Sequence, residues 1–148
     1  MPYYEDFEVG EKVTTLGRTI TDGLASSLIC MMGYPAPIFH DETVAKESPI
    51  GWRALPGPIT LALMGALVEE THIRMGEGMG ALVGINNVTW KVPVRVGDTV
   101  HAEVEIISMR KSSNPKWGLA VEKYSLINQR DEVTNEAEIT HVWEYRPT

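Results

Sequence analysis

The chain has 148 residues, 43% of them hydrophobic, which is enough for one domain with a substantial core. Its 20 acidic and 13 basic residues give a formal charge of -7, and no run of Lys or Arg is long enough to follow a phosphate backbone, which argues against nucleic acid as a partner. The longest apolar run, residues 59–68, is too short to span a bilayer, and the N-terminus is not a basic signal region. We therefore expect a cytoplasmic protein that does not enter a membrane.

The N-terminal segment predicts a short strand followed by a helix. Residues 7–13 lead into a first strand, and residues 13–19 alternate loosely between apolar and polar side chains, which favours an extended conformation. Thr21 can then cap a helix whose apolar side chains recur at helical spacing, and Gly33 ends it. Cys30, the one cysteine, has no partner for a disulfide or a thiolate metal site, so we expect a buried, inert thiol.

A proline-rich loop and a long apolar helix come next. Five prolines between positions 35 and 58 exclude a long regular element, although one short helix fits at 41–48. Pro58 suits the first helical position, and the residues from 59 to 68 are apolar around most of the helix. We therefore expect a buried helix that turns polar after residue 68 and ends at 75–78. Its small side chains, at 62, 65 and 66, would let a sheet approach closely.

The remaining part of the chain, from residue 81 on, predicts four strands. The candidates span 81–91, 99–109, 119–128 and 136–145, with turn signals between them. One long helix followed by an antiparallel meander is an α+β order, and a hot-dog fold satisfies it by wrapping the sheet around the helix. A cystatin-like or other helix-on-sheet fold fits the pattern as well. Residues 1–148 would then form a single domain.

The segments 33–45 and 55–62 carry the most specific pattern of the chain. They read GYPAPIFHDETVA and LPGPITLA. This pattern resembles that of the MaoC-like, R-specific enoyl-thioester hydratases, which carry G-D-x-N-P-[LI]-H-x-D-x-x-x-A and then a His-Gly pair that opens an apolar helix. Residues 88–100, 110–118 and 128–129 also resemble this family, so the similarity extends from residue 4 to residue 147. Residues 35–45 and 55–60 are at least as similar to the N-terminal domains of MaoC-type dehydratases. The resemblance implies a hot-dog fold.

The chain departs from the family at both catalytic places. Tyr34 stands where the family has its aspartate and Phe39 where it has its histidine, while His40 comes one residue later. The family reaction adds water to the double bond of an enoyl thioester, or removes it, and uses no cofactor. It needs an acid and a base around one water and a backbone donor for the thioester oxygen. The resemblance places that donor at Gly57.

Three functions follow as alternatives. In the first, a bulge in the loop brings His40 into the catalytic place, with Asp41 or Tyr34 as its partner, and the chain is a hydratase or dehydratase. In the second, the chain is a non-catalytic, acyl-binding subunit of a heterodimeric dehydratase. The third, a hot-dog thioesterase, needs a carboxylate on the buried helix, and Glu69 and Glu70 come late for that role.

The resemblance also implies a substrate site between two hot-dog units, and hence a homodimer or a heterodimer. Trp52 and Met64, with Met31 and Met32, could line an acyl slot, although such residues are more often ordinary core. The cations that could meet the phosphates of coenzyme A or of a carrier-protein arm are Arg53, Arg95, Arg110, Lys111 and Lys116. A solvated turn is the plainer role for the last three. The histidines at 72, 101 and 141 lack zinc-site spacing, so we expect surface or cross-strand residues there and no bound metal.

Overall fold

The computed structural model describes residues 3–75 and 80–147, and for residues 72–75 the backbone alone. The helices are α1 (Asp22–Met31), α2 (Glu42–Glu47) and α3 (Gly57–Met75), and two 3₁₀ turns lie at Tyr4–Asp6 and Pro37–Phe39. The strands are β1 (Lys12–Thr14), β2 (Arg18–Thr19), β3 (Gly80–Trp90), β4 (Thr99–Lys111), β5 (Trp117–Asn128) and β6 (Val133–Glu144). The predicted helix end at 76–78 falls outside the described residues. Among the described residues, none of the helices is long and apolar enough to cross a membrane.

The strands form one antiparallel sheet in the order β1-β4-β5-β6-β3, with β2 also paired to β4. The expected meander holds for β4, β5 and β6 but is wrong for β3, which pairs with β6 at the edge. The segment 91–98 carries the chain across instead of turning back. Hydrogen bonds from Leu55 N–H to the Val94 oxygen (2.9 Å) and from Val96 N–H to the Arg53 oxygen (3.1 Å) hold this segment beside the start of α3. A tight hairpin cannot form where the chain is held in this way.

The core lies between α3 and the inner face of the sheet. One side of the helix is buried through Ile59, Leu63, Met64, Leu67 and Val68. These side chains pack against alternate residues of the central strands, among them Val100, Ala102, Val104, Tyr124, Leu126 and Ile139. The prediction of a long helix packed on an antiparallel sheet is confirmed.

The opposite side of α3 is open, which corrects the expectation of a helix buried all round. Pro58, Ala62, Ala66 and Glu69 are exposed. A side chain added at Gly65 would meet nothing within 4 Å, so the small residues do not serve a close approach of the sheet. The sheet covers one side of α3 and leaves the apolar residues on the other side exposed.

The ends of α1 follow the predicted signals, but its burial does not. The Thr21 hydroxyl accepts the Leu24 N–H at 3.2 Å, and Gly33, with φ of 70°, follows the last turn. Ile29 occupies the core position, so the next residues turn outward. Cys30 is therefore exposed, not buried as expected. Met31 and Met32, proposed for an acyl slot, are 83% and 63% exposed at the helix end.

Candidate functional site

In the loop after α1, Tyr34 and Phe39 occupy the two positions at which the family that this chain resembles has its catalytic aspartate and histidine. The Tyr34 and Phe39 rings meet edge to face, with centroids 5.8 Å apart, and both pack on the main core. The His40 ring, by contrast, does not pack on this aromatic pair. Its Nε2 lies 2.6 Å from the backbone oxygen of Tyr34, and its side chain is exposed. The bulge that would bring His40 inward is absent from this loop.

Asp41 has a structural role in this arrangement. Its Oδ1 accepts the N–H groups of Thr43 (2.8 Å) and Val44 (3.3 Å) and so caps α2. These backbone hydrogen bonds hold the pKa of Asp41 below its usual value. Asp41 therefore stays a carboxylate near neutral pH. The Asp41 side chain bonds to the start of the helix, whereas the His40 ring bonds to the Tyr34 oxygen, so the two do not form a pair.

A cavity of about 290 Å³ opens at the start of α3, and we call it the helix-start cavity. Phe39 and Gly57, two positions of the predicted site, both line it. The other lining residues come from the preceding loop, α3 and the segment from Trp90 to Val94: Ile50, Ala54, Leu55, Pro56, Thr60, Trp90, Lys91, Val92, Pro93 and Val94. Tyr34, His40 and Asp41 are not among them.

Gly57 and Trp90 form the polar contact of the helix-start cavity. The Trp90 Nε1–H donates to the Gly57 oxygen at 2.9 Å and lies 3.2 Å from the Thr60 hydroxyl. A side chain at position 57 would lie 2.9 Å from Trp90 Nε1, so only glycine fits there without a shift. The Gly57 N–H makes no hydrogen bond to any described residue. It is a donor at the positive end of a long helix. Sequence reasoning missed Trp90, although it stands at an aromatic position of the resembling strand motif.

Arg53 and Trp52 are engaged within the loop. Arg53 Nε donates to the Phe39 oxygen at 3.1 Å, and its NH1 donates to Asp22 Oδ1 at 2.5 Å. Arg53 thus ties the loop to α1, and its side chain is only 13% exposed. Trp52 is half-buried, and the Arg95 guanidinium lies over its ring, 5.6 Å from the ring centroid. Its buried Nε1 has no hydrogen-bond partner among the described residues.

The three remaining cations of the predicted site lie far from the helix-start cavity. Arg110, Lys111 and Lys116 are exposed at the hairpin between β4 and β5. The cavity lies at the other end of these strands, near Thr99, and an extended strand of this length measures roughly 40 Å. Within one chain, the hairpin and the cavity do not form one site.

A second cavity, of about 320 Å³, lies beside the open side of α3, and we call it the edge cavity. Met64 lines it, together with Pro58, Leu61, Ala62, Gly65, Glu69, Leu82, Ile85, Tyr124, Ile139 and His141. Met64, which the sequence analysis suggested for an acyl slot, is fully buried and lines this cavity; the cavity itself was not foreseen, because the helix was expected to be fully enclosed.

A buried polar cluster stands behind the edge cavity, and its centre is Glu122, which is 0% exposed. Glu122 Oε2 accepts the Tyr124 hydroxyl at 2.8 Å. Its Oε1 lies 3.2 Å from His141 Nδ1 and 3.3 Å from Trp143 Nε1. His141 is a cross-strand residue as expected, but it is buried rather than at the surface. The sequence signal that could have revealed this buried cluster is a glutamate at an inward-facing position of β5, between Ala120 and Tyr124.

His101 lines neither cavity. His101 is half-buried on β4, and the side chain of His72 lies outside the described residues. No cluster of three or more His, Cys, Asp or Glu side chains with metal-binding geometry occurs in the described part of the chain.

The comparisons with known proteins agree on the family. The profile of the family described as MaoC like domain matches residues 6–125. A 3-hydroxybutyryl-CoA dehydratase of Methylorubrum extorquens is 30% identical over 107 residues, which cover 72% of this chain and 65% of that protein. Protein MaoC of Klebsiella aerogenes is 26% identical over 74% of this chain, but only 31% of that protein is matched. The chain thus spans about two thirds of the first relative and a third of the second.

Solved structures show the same fold. The X-ray structure of a monoamine oxidase regulatory protein from Archaeoglobus superposes with a TM-score of 0.89 at 24% identity, over 99% of this chain and 96% of that one. A conserved hypothetical protein of Mycobacterium tuberculosis, reported to have a double hot-dog fold, gives a TM-score of 0.80 at 18% identity. The superposition covers 99% of this chain and 45% of that one. The predicted hot-dog fold is confirmed.

Proposed function

Because the chain belongs to the MaoC-like domain family, we propose that it binds an acyl thioester and adds water to its α,β double bond, or removes water from the 3-hydroxy form. The Gly57 N–H carries this proposal. It begins a long helix, it makes no hydrogen bond to a described residue, and Gly57 lines an apolar cavity. The reaction concentrates negative charge on the thioester oxygen, and a fixed N–H at a helix start stabilises such charge.

The helix-start cavity suits the carbon chain next to the thioester. Its walls are mostly apolar, and a glycine at position 57 permits a substrate oxygen to approach the backbone closely. Trp90 fixes the peptide after Gly57 by its hydrogen bond to the Gly57 oxygen. A dehydratase for 3-hydroxybutyryl-CoA is among the relatives, which supports a coenzyme A thioester as the substrate. The reaction requires no cofactor.

Proton transfer is the second half of this proposal. Our prediction assigns it to His40 with Asp41 or Tyr34, which requires the loop to release the His40 ring from the Tyr34 oxygen. An imidazole is suited to giving and taking a proton near neutral pH. Arg53, bonded to the Phe39 oxygen, is the residue that would oppose such a rearrangement.

Hydration of enoyl-CoA substrates, followed by absorbance, tests the function. We expect activity in the parent, and a loss of roughly 10²–10⁴-fold in His40→Ala. His101→Ala is the matched control, because it also removes an imidazole, but from strand β4 and not from the loop that contains His40. Full activity in His40→Ala would exclude His40 as the acid/base group and leave the reaction class standing. An inactive parent would overturn the reaction class.

A second candidate function is a non-catalytic acyl-binding subunit. The observation that favours it is Phe39, which lines the helix-start cavity at the place where the resembling family has its histidine. This candidate predicts that acyl-CoA binds, as measured by calorimetry, while no enoyl-CoA is turned over by the chain alone. Turnover by the purified chain would contradict it.

We also propose that a second hot-dog unit covers the open side of α3 and the edge of the sheet. β3 is an edge strand with three large apolar side chains exposed by 42–58%: Leu82, Val83 and Ile85. An exposed apolar edge of this kind is usually paired. The double hot-dog neighbour, which matches this chain with 45% of its length, supports such a pair. Light scattering should give twice the mass of one chain, or the mass of a heterodimer with a homologous partner.

A further inference from the structure

The direction of the Gly57 N–H is set by the peptide group to which it belongs. The oxygen of that peptide group, on Pro56, accepts the N–H groups of Ile59 (3.0 Å) and Thr60 (3.3 Å). This oxygen therefore points into the first turn of α3. In a trans peptide the N–H points opposite to the oxygen, so the Gly57 N–H points out of the helix start. Any movement of the first turn moves this donor with it.

A second peptide oxygen ties the first turn of α3 to the sheet. The Gly57 oxygen accepts the Thr60 hydroxyl at 2.7 Å and the Trp90 Nε1–H at 2.9 Å, and Nε1 also lies 3.2 Å from the Thr60 hydroxyl. We call these three mutually bonded atoms the helix-start triangle. Thr60 belongs to α3 and is only 2% exposed, whereas Trp90 is the last residue of β3. The triangle thus fixes the helix start relative to the strand, and both side chains line the helix-start cavity.

The backbone around Gly57 has a particular need for this restraint. The prolines at positions 56 and 58 fix their own φ, but glycine has the widest choice of backbone conformations, so rotation at Gly57 would redirect the chain that enters α3. A Cβ at position 57 would lie 2.9 Å from Trp90 Nε1, so a larger residue cannot supply the restraint without a shift. The two donors on the Gly57 oxygen supply it instead.

The helix-start cavity offers few other groups that could stabilise charge. Among its described lining residues only Lys91 has a titratable side chain, and the Lys91 Nζ lies 2.6 Å from Glu136 Oε2. Negative charge that develops on a thioester oxygen in this cavity would therefore meet the Gly57 N–H as its fixed donor. Such a donor is effective only if it keeps its direction while the charge forms.

We propose that Trp90 and Thr60 are positioning residues of the reaction. They act through the Gly57 N–H, which the helix-start triangle holds in the direction that a thioester oxygen requires. The effect on turnover rests on the proposed function. The hydrogen bond from Gly57 to a bound thioester oxygen does not, because it can be observed with a thioester that undergoes no reaction.

Infrared spectroscopy of butyryl-CoA, labelled with ¹³C at the thioester carbonyl and present at saturating protein concentration, measures that hydrogen bond. A saturated thioester cannot be hydrated, and a hydrogen bond to its oxygen lowers the stretching frequency of the carbonyl. We expect a lower frequency on the parent chain than in free butyryl-CoA. Trp90→Phe removes the indole N–H and Thr60→Val removes the hydroxyl. Each variant should reduce the shift, and the double variant should reduce it most.

Turnover of enoyl-CoA should respond in the rate constant more than in binding. We expect kcat to fall about tenfold in each single variant while KM rises less than about threefold, because the charge on the oxygen is largest in the transition state. Removing such a donor outright costs more, roughly 10²–10³-fold in kcat. Trp117→Phe is the matched control, since Trp117 lies at the hairpin end of β5 and lines neither the helix-start cavity nor the edge cavity. It should leave the carbonyl frequency, kcat and KM unchanged, and circular dichroism checks the folding of each variant.

An unshifted carbonyl on the parent chain, or the same shift on the parent and the double variant, would overturn the proposal. So would an unchanged kcat in both single variants of an active chain. The two measurements also separate this inference from the proposed function. A carbonyl shift that the variants weaken, in a chain that turns over no enoyl thioester, would retain the positioning of Gly57 and reject the reaction class. Turnover with an unshifted carbonyl would retain the reaction class and reject this inference.

Discussion

Replacing Glu122 by leucine should be among the most destabilising single changes in this chain. Glu122 is fully buried and accepts hydrogen bonds from three side chains: Tyr124, His141 and Trp143. Leucine is close in size, so the packing volume is nearly kept and the main loss is the common acceptor. A buried donor that loses its acceptor costs about 1–3 kcal/mol, and a broken buried pair about 3–5 kcal/mol.

We therefore expect Glu122→Leu to lower the free energy of unfolding by about 3–5 kcal/mol. For a domain of this size, 1 kcal/mol corresponds to about 2–4 °C in the midpoint of thermal unfolding, so the melting temperature should fall by roughly 6–20 °C. Guanidinium unfolding followed by circular dichroism measures the free energy directly, provided that the dependence on denaturant is unchanged. Glu122→Gln keeps one acceptor oxygen and should lose distinctly less.

The control is Glu103→Leu, which makes the same exchange at an exposed position of β4. It should stay within about 0.5 kcal/mol of the parent. If Glu122→Leu also stays within about 1 kcal/mol, the three hydrogen bonds contribute little, and the reasoning about a fixed, buried acceptor is refuted.

Three further predictions concern other parts of the molecule. Trp90→Phe removes the hydrogen bond to the Gly57 oxygen and should cost about 1 kcal/mol in unfolding free energy while weakening acyl-CoA binding in calorimetry. The pKa of Asp98 is held below its usual value because hydrogen bonds from Arg130 and its neighbours outweigh the effect of burial. Its contribution to stability is therefore present above pH ~4 and lost as the pH falls through the lowered pKa, so the deficit of Asp98→Asn, measured by denaturation, should shrink in acid. Leu82→Lys on the exposed edge strand should shift the light-scattering mass toward a single chain, and an unchanged mass would exclude this edge as the interface.

The sequence was sufficient where a local signal determines the structure. Thr21 and Gly33 set the ends of α1, and Gly57 with Pro58 sets the start of α3, because caps and prolines act within one turn of the chain. The pairing of β3 with β6 was not predictable in this way. It depends on the segment 91–98, which is held beside the start of α3 by hydrogen bonds to residues some forty positions earlier.

The two errors about burial have a common cause. Hydrophobicity shows that α3 and α1 need apolar neighbours, but it does not show which side of each helix the chain itself can cover. The sheet covers the side of α3 that contains Met64 and leaves the side of Ala62 open. In the same way α1 buries Ile29, and Cys30 turns outward. The open side of α3 is apolar at Pro58, Ala62 and Ala66, which fits the proposal that a second hot-dog unit covers it.

The first turn of α3 separates the two cavities of the candidate site. Gly57 lines the helix-start cavity, and Pro58, the next residue, lines the edge cavity. Phe39 lines the helix-start cavity and packs edge to face on Tyr34, so the two positions at which the family has its catalytic aspartate and histidine carry aromatic rings. The only buried glutamate–histidine contact in the described part of the chain, Glu122 with His141, lies on the other side. His40 lines neither cavity and His141 lines the edge cavity, so a substitution of either leaves the other imidazole in place, and the effect of each on turnover can be measured separately.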